Sequence, residues 1–215
     1  MGAEWRRLSF PRLETRKRLH SSPLERLRRG TAALHPRPRL ADIPLPLESY
    51  AAYCSTYQWK TIYGRELLYS GPLFTHQLSH LWIDFRDLRD PFMREHGSDY
   101  FQNSRQATYV HQEYAIRNPL EFAGYGEFSW GITATDGPKW EKRSVNGIER
   151  QFYDYYARGA PYGPDDGTIA PWVVVASLPF APEIVIPTVR AMAQLDLGAT
   201  KRYGFKPSFN ETYEV

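Results

Sequence analysis

Apolar residues recur at helical spacing in several stretches of the chain. Leu73, Phe74, Leu78, Leu81, Trp82 and Phe85 follow Gly71-Pro72, and proline suits a first helical turn because no needed donor is lost there. This predicts a helix through about Arg86, with Leu78, Leu81, Trp82 and Phe85 as its packing stripe. Asp90-Pro91 predicts a short helix ending near Gly97, with Asp90 as its cap. Asp99 caps a longer helix that runs to Arg117 and stops at Asn118-Pro119. The stretch from Ile148 to Ala157 reads as another helix. Thr168 to Ser177 and Pro182 to Leu197 read as two more, each with an early proline, and Val173-Val174-Val175 is assigned to buried helix rather than strand. Residues 119–148 are rich in glycine and aromatics and carry neither period, which predicts a long ordered loop, a common home for sites. The body is predicted to be mostly α.

The opening of the chain has a different character. Leu13, Leu19, Leu24 and Leu27 have some helical spacing but lie among many arginines, and Pro36, Pro38, Pro44 and Pro46 end any helix. A boundary is expected near residue 40, with residues 1–40 as a poorly packed leader and 41–215 as the domain. Residues 1–47 hold 11 Lys/Arg against 4 Asp/Glu, while the remainder holds 16 against 20. The net charge of +3 therefore hides a basic arm on a mildly acidic body, which has no basic stripe to follow a phosphate backbone. Nucleic acid is accordingly not expected as a partner. Neither is a membrane, because no apolar run approaches the roughly 20 residues a spanning helix needs. Met1 to Arg7 lack the apolar stretch of a secretory signal.

Candidate chemistry concentrates in two places. Gly124 to Pro138 sets Glu127 and Asp136 among glycines and large aromatics, where desolvation raises a carboxyl pKa and suits it to general acid work. Asp165-Asp166-Gly167-Thr168 supplies two more acids, with Asp166 also readable as a helix cap and Asp165 as a turn residue. Trp130, Trp140, Tyr162 and Trp172 offer faces on which sugar rings stack. His76, His80 and Asp84 fall at i, i+4 and i+8, and the histidines are read as contacts for polyol hydroxyls. A metal is not expected, since two His and one Asp make a thin ligand set and Gln77 follows the first His. Cys54, the single cysteine, excludes an intrachain disulfide and a cysteine zinc cluster. No phosphate loop, dinucleotide fingerprint or nucleophile elbow occurs, so no cofactor is expected.

Several of these segments, in fixed order, resemble the bacterial glycoamylase-like domain. They are Ile62 to Glu66, Gly71 to Asp84, Asn103-Ser104-Arg105, Trp130 to Pro138, Asp165 to Pro171, Ser177 to Glu183 and Tyr203-Gly204-Phe205. The likeness covers about residues 40–210, and relatives in that family include endo-β-1,2-glucanases and the transglycosylating domain of cyclic β-1,2-glucan synthases. The resemblance implies a glycoside hydrolase acting on β-glucan, most of all β-1,2-glucan, through paired carboxylates. The alternative is a fragment that binds carbohydrate without turnover or has no function of its own. It implies an all-α fold, here a partial (α/α)6 toroid lacking both ends of the ring, and hence an exposed apolar patch. Glu66, Glu127, Asp136 and Asp166 are the catalytic candidates, with Glu127 and Asp136 ranked first. His76, His80, Arg105, Trp130, Tyr162 and Trp172 are the candidates for holding sugar. Members of that family are often exported.

Overall fold

The computed structural model of the protein describes residues 47–195 and 204–214. The expected leader and Tyr203 lie outside the described residues. In chain order the elements are α1 (Leu47–Cys54), β1 (Trp59–Ile62), β2 (Arg65–Leu68), two 3-10 turns (Leu73–His76 and Leu78–Leu81), α2 (Pro91–Glu95), α3 (Tyr100–Arg117), β3 (Ala134–Thr135), β4 (Glu141–Val145), β5 (Ile148–Phe152), β6 (Tyr156–Ala157), α4 (Pro171–Ala176), α5 (Pro182–Met192) and α6 (Glu211–Glu214). Strands β1 and β2, β3 and β6, and β4 and β5 form three antiparallel pairs. The expectation of an all-α fold, a partial (α/α)6 toroid, is therefore corrected: this is a mixed α and β structure.

Turn chemistry explains much of the difference. Asn146-Gly147 sits at φ of 52° and 80°, and Tyr63-Gly64 at 51° and 74°. Positive φ at both central residues is the turn whose twist matches two antiparallel strands, so each dipeptide folds its flanks into a hairpin. Ile148 to Phe152 therefore pairs with β4, Val145 facing Ile148, instead of coiling into the expected helix. The Gly71-Pro72 segment also departs from its expected α-helix, forming the two 3-10 turns. Leu81 and Trp82 are 73% and 81% exposed, so the expected packing stripe is reduced to Phe85 and part of Leu78. The capped helices follow expectation: Asp90 accepts from the Met93 N–H at 2.7 Å, and Asp99 from the Gln102 N–H at 2.7 Å. Asn118 closes α3 in the left-handed conformation. The valine run lies in α4, with Val173 and Val174 buried and Val175 exposed.

α3 is the axis of the fold. Its Ala107, Val110 and Ala115 pack with Ile62 and Leu67 of the first hairpin, Trp130 of the long loop, Val173 and Val174 of α4, and Val185 and Met192 of α5. Asn103 binds the end of β2 as a neighbouring strand would. Its Oδ1 accepts from the Leu68 N–H at 2.6 Å, and its Nδ2 reaches the Leu68 carbonyl. On the far side, Gly159 meets Gly71 so closely that a Cβ on Gly159 would lie 2.5 Å from the Gly71 carbonyl carbon. The Ala160 N–H donates to the Gly71 oxygen there, seating residues 160–162 against the end of the first hairpin.

A buried ion pair ties the loops together. Arg158 and Asp166 are both fully buried, with Nε to Oδ1 at 2.6 Å and Nη2 to Oδ2 at 2.8 Å. The guanidinium also donates to the carbonyls of Thr135, Tyr153 and Asp154. Asp166 further accepts from the backbone N–H groups of Tyr153 and Thr168. Substituting Asp166→Asn leaves the buried Arg158 charge without its counter-ion, and the expected cost is about 3–5 kcal/mol in urea unfolding. A loss under about 1 kcal/mol would mean that the pair is replaceable.

Candidate functional site

Asp165 and Asp166 are neighbours with different partners. Asp165 is partly buried, and both its oxygens are held by tyrosines: Tyr125 Oη donates to Oδ1 at 2.7 Å and Tyr114 Oη to Oδ2 at 3.0 Å. The Gly167 N–H adds a third bond at 3.1 Å. Burial nevertheless raises the Asp165 pKa from 3.8 to about 6, against the pull of these three donors and with a small push from the Asp166 charge. The same burial pushes the Tyr114 and Tyr125 hydroxyls up, so both remain donors at any ordinary pH. Tyr63 packs beside Tyr114 and Tyr125, with the Arg117 guanidinium 4.6 Å from its ring centroid. Tyr69 and the exposed Tyr162 meet edge to face at 5.4 Å, and Lys60 Nζ lies 4.7 and 4.8 Å from their two centroids. The Asp165 carboxyl thus belongs to a cluster of tyrosines, Tyr63, Tyr114 and Tyr125.

The expected site residues are placed as follows. Glu66, Glu127 and Asp136 are exposed. Glu127 lies on the loop that carries Tyr125, with its carbonyl accepting from Gln112 Nε2. The Asp136 carbonyl accepts from Ser208 Oγ. Asp166 is enclosed by Arg158 and backbone donors, so its carboxylate faces the interior and not a cleft shared with Glu127 and Asp136. Trp130 is fully buried in the core, its Nε1 donating to Thr188 Oγ1 at 3.0 Å, which leaves no face for a sugar. Arg105 joins α3 to the start of α5, donating to the Phe180 carbonyl, Tyr109 Oη and Glu183 Oε1. Tyr162 and Trp172 are exposed.

The histidines are internal. His76 Nε2 donates to the Ser70 carbonyl at 3.2 Å, and its Nδ1 accepts from Asn103 Nδ2 at 3.2 Å. Both ring nitrogens are used by the protein, and that bonding assigns the tautomer. His80 Nε2 lies 3.0 Å from Ser104 Oγ, with its ring against Phe85, Phe101 and Phe180. Burial lowers both imidazoles to about 4. Asp84, expected on the same face, is exposed and paired with Arg86. Among the described residues no group of three or more His, Cys, Asp or Glu is gathered to hold a metal ion, and no helix is long and apolar enough to cross a membrane.

The carboxyl that sequence reasoning passed over is Asp165, read as a turn residue. Two adjacent acids before a helix were the available signal, since a cap needs one of them and leaves the other to be explained.

The ordered motifs, and the arrangement they build around α3, belong to a known family. The chain is a member of the Glycoamylase family ("Putative glucoamylase"), whose sequence model matches residues 38–215. An "Exo beta-1,2-glucooligosaccharide sophorohydrolase (non-reducing end)" of Parabacteroides distasonis is 30% identical over 158 residues, which is 71% of this chain and 19% of that protein. The "putative glucoamylase" of Bacteroides fragilis superposes with a TM-score of 0.62 at 29% identity, over 77% of this chain and 36% of its own. An endo-β-1,2-glucanase of Chitinophaga pinensis, solved with sophorotriose and glucose, gives 0.61 at 26% identity, over 76% of this chain and 37% of its own. The chain thus spans well under half the length of these relatives.

The raised pKa of Asp165 has a measurable consequence. The folded chain keeps this proton up to about pH 6, and the unfolded chain only to about 3.8. The protonated carboxyl therefore contributes its full stability below about pH 4 and loses it as pH rises through 6. The unfolding free energy of the wild type relative to Asp165→Asn is expected to fall by roughly 3 kcal/mol between pH 4 and pH 7. The histidines act in the opposite sense but are common to both proteins and cancel in the difference. A difference that stays level with pH would put the Asp165 carboxyl in ordinary solvent.

Proposed function

We propose that this chain is the carbohydrate-facing part of a glycoside hydrolase that acts on β-1,2-glucan, with Asp165 as its general acid. The observation that carries this reading is a partly buried carboxyl held between two tyrosine hydroxyls, beside an aromatic surface, in a member of the Glycoamylase family. The names of the Parabacteroides and Chitinophaga relatives support the linkage. Hydrolysis of a glycosidic bond needs one carboxyl to protonate the leaving oxygen and a second to activate water or attack the sugar. A pKa of about 6 leaves about one-tenth of Asp165 protonated at pH 7, far more than an ordinary carboxyl, and able to give up its proton. Once it has done so, Tyr114 and Tyr125 stabilise the carboxylate. Glu127, exposed on the loop that bears Tyr125, is the carboxylate proposed to serve with it. Tyr162 and Tyr69 offer ring faces to a glucosyl unit, with Lys60 donating to its hydroxyls.

The test is incubation of the purified chain with linear β-1,2-glucan. Release of oligosaccharides is expected, and Asp165→Asn is expected to lower kcat by about 10²–10⁴-fold, the usual worth of a general acid. Undiminished turnover in that variant would remove Asp165 from the chemistry. The small share of its relatives' length that the chain spans favours a second reading, binding without turnover. Calorimetry with β-1,2-gluco-oligosaccharides separates the two: heat of binding without product supports the second, and product supports the first.

A further inference from the structure

The outer face of α4 and α5 is apolar and uncovered. From Thr168 to Pro182 the chain has no charged residue. Val173 and Val174 turn one side of α4 into the core, yet its other side is apolar as well. Trp172, Val175, Leu178 and, on α5, Ile186 are between 41% and 44% exposed. α4 packs against α5, so these side chains stand on neighbouring elements rather than being scattered. Within α5, Val185, Thr188 and Met192 are buried. That turns Glu183, Ile186 and Arg190 outward at i, i+3 and i+7, a single stripe of the helix, and all three are exposed. We propose that this face pairs with a second copy of the chain, the two α5 helices lying antiparallel across a two-fold axis between Ile186 and Pro187. The pairing is independent of the function proposed above.

The charges on the stripe select that occupant. Glu183 and Arg190 are seven residues apart, about two turns, with the apolar centre between them. A two-fold antiparallel pairing sets Glu183 of each copy opposite Arg190 of the other, and Ile186 opposite Pro187. The face is thus complementary to itself. A parallel pairing, or a partner carrying charge of one sign, would leave one of the two groups facing its like. Both groups are also ready to pair. Arg190 has no partner among the described residues. Glu183 is anchored to α3 by Arg105 and Tyr109, and both of them donate to Oε1, which leaves Oε2 free. A carboxylate already held in place loses little further side-chain entropy when it meets a second guanidinium. Trp172, Val175 and Leu178 lie beside the helix pair and supply the apolar area that a pair of exposed ion contacts alone would lack.

The full chain is followed by sedimentation velocity across micromolar concentrations. A reversible dimer is expected. Ile186→Ser and Arg190→Glu, both at exposed positions, are each expected to raise its Kd about tenfold or more while leaving Tm unchanged. Glu183→Arg is expected to weaken the dimer in the same way, with its fold checked by circular dichroism because it gives up the Arg105 contact. Mixing Arg190→Glu chains with Glu183→Arg chains sets opposite charges against each other at both contacts, and most of the lost affinity is expected to return. A role confined to one chain would not be rescued by mixing. Added salt supplies a check that does not need the Glu183 variant: the wild-type Kd is expected to rise and that of Arg190→Glu to fall, as attraction and repulsion are screened. A monomer at every concentration overturns the pairing and leaves the face to a partner of another kind. A dimer indifferent to Ile186→Ser and Arg190→Glu has its contact elsewhere and overturns it as well. Weakening by the single variants with no recovery on mixing, or the same salt response in wild type and Arg190→Glu, overturns the antiparallel register.

Discussion

The Arg158–Asp166 pair is the constraint on which the rest of the arrangement depends. A charge this deeply buried is costly unless it is met by a counter-ion and by enough hydrogen bonds, and both groups here are met completely. Arg158 spends its donors on Asp166 and on carbonyls from residues 135, 153 and 154, while Asp166 takes backbone donors from 153 and 168. Segments far apart in sequence are thereby given one relative position. Asn210 extends the tie by donating to the Asp166 carbonyl and to Thr168 Oγ1, which brings the segment before α6 into the same unit. Between residues 119 and 170 the regular structure is two strand pairs, β3–β6 and β4–β5, and this charge network fixes the loops around them.

A second network, built on α3, works with neutral groups. Asn103, Ser104, His76 and His80 join that helix to β2 and to the two 3-10 turns. Their low imidazole pKa values follow from burial, which for His80 outweighs the pull of Asp84 and Asp99 toward the charged form. The histidines therefore behave as neutral hydrogen-bonding spacers. His111, also on α3 and lowered to about 3, adds a further buried neutral imidazole on the same helix.

How much of this was legible in the sequence depended on whether the signal was local. Asp90, Asp99 and Asn118 act through hydrogen bonds within a few residues, and all three helix ends were readable. The ordered motifs identified the family from short segments in the same way. The strands do not show in apolar spacing, because their segments are too short and too polar to carry a period; their local signal is Asn146-Gly147 and Tyr63-Gly64. The β4–β5 hairpin sets Arg143 opposite Arg150, a pairing that no hydrophobic pattern announces. Trp130 and His76 are residue types that suit a sugar ligand, and residue type alone does not reveal their burial. What decides their role is enclosure by Thr188 and by Asn103, distant in sequence from the residues they bind.

The adjacent pair Asp165-Asp166 shows why residue type alone does not assign chemistry. Both acids stand in one motif, and both lie largely out of water. Asp166 meets the Arg158 guanidinium and the backbone N–H groups of Tyr153 and Thr168, so all its partners belong to the fold. Asp165 meets only neutral donors, two phenols and one amide, and these do not offset the loss of solvent. One acid is thus paired with a buried guanidinium, while burial raises the pKa of its neighbour to about 6. A single step along the chain turns the side chain from Arg158 toward Tyr114 and Tyr125, and that change of partner is what sets the two environments apart.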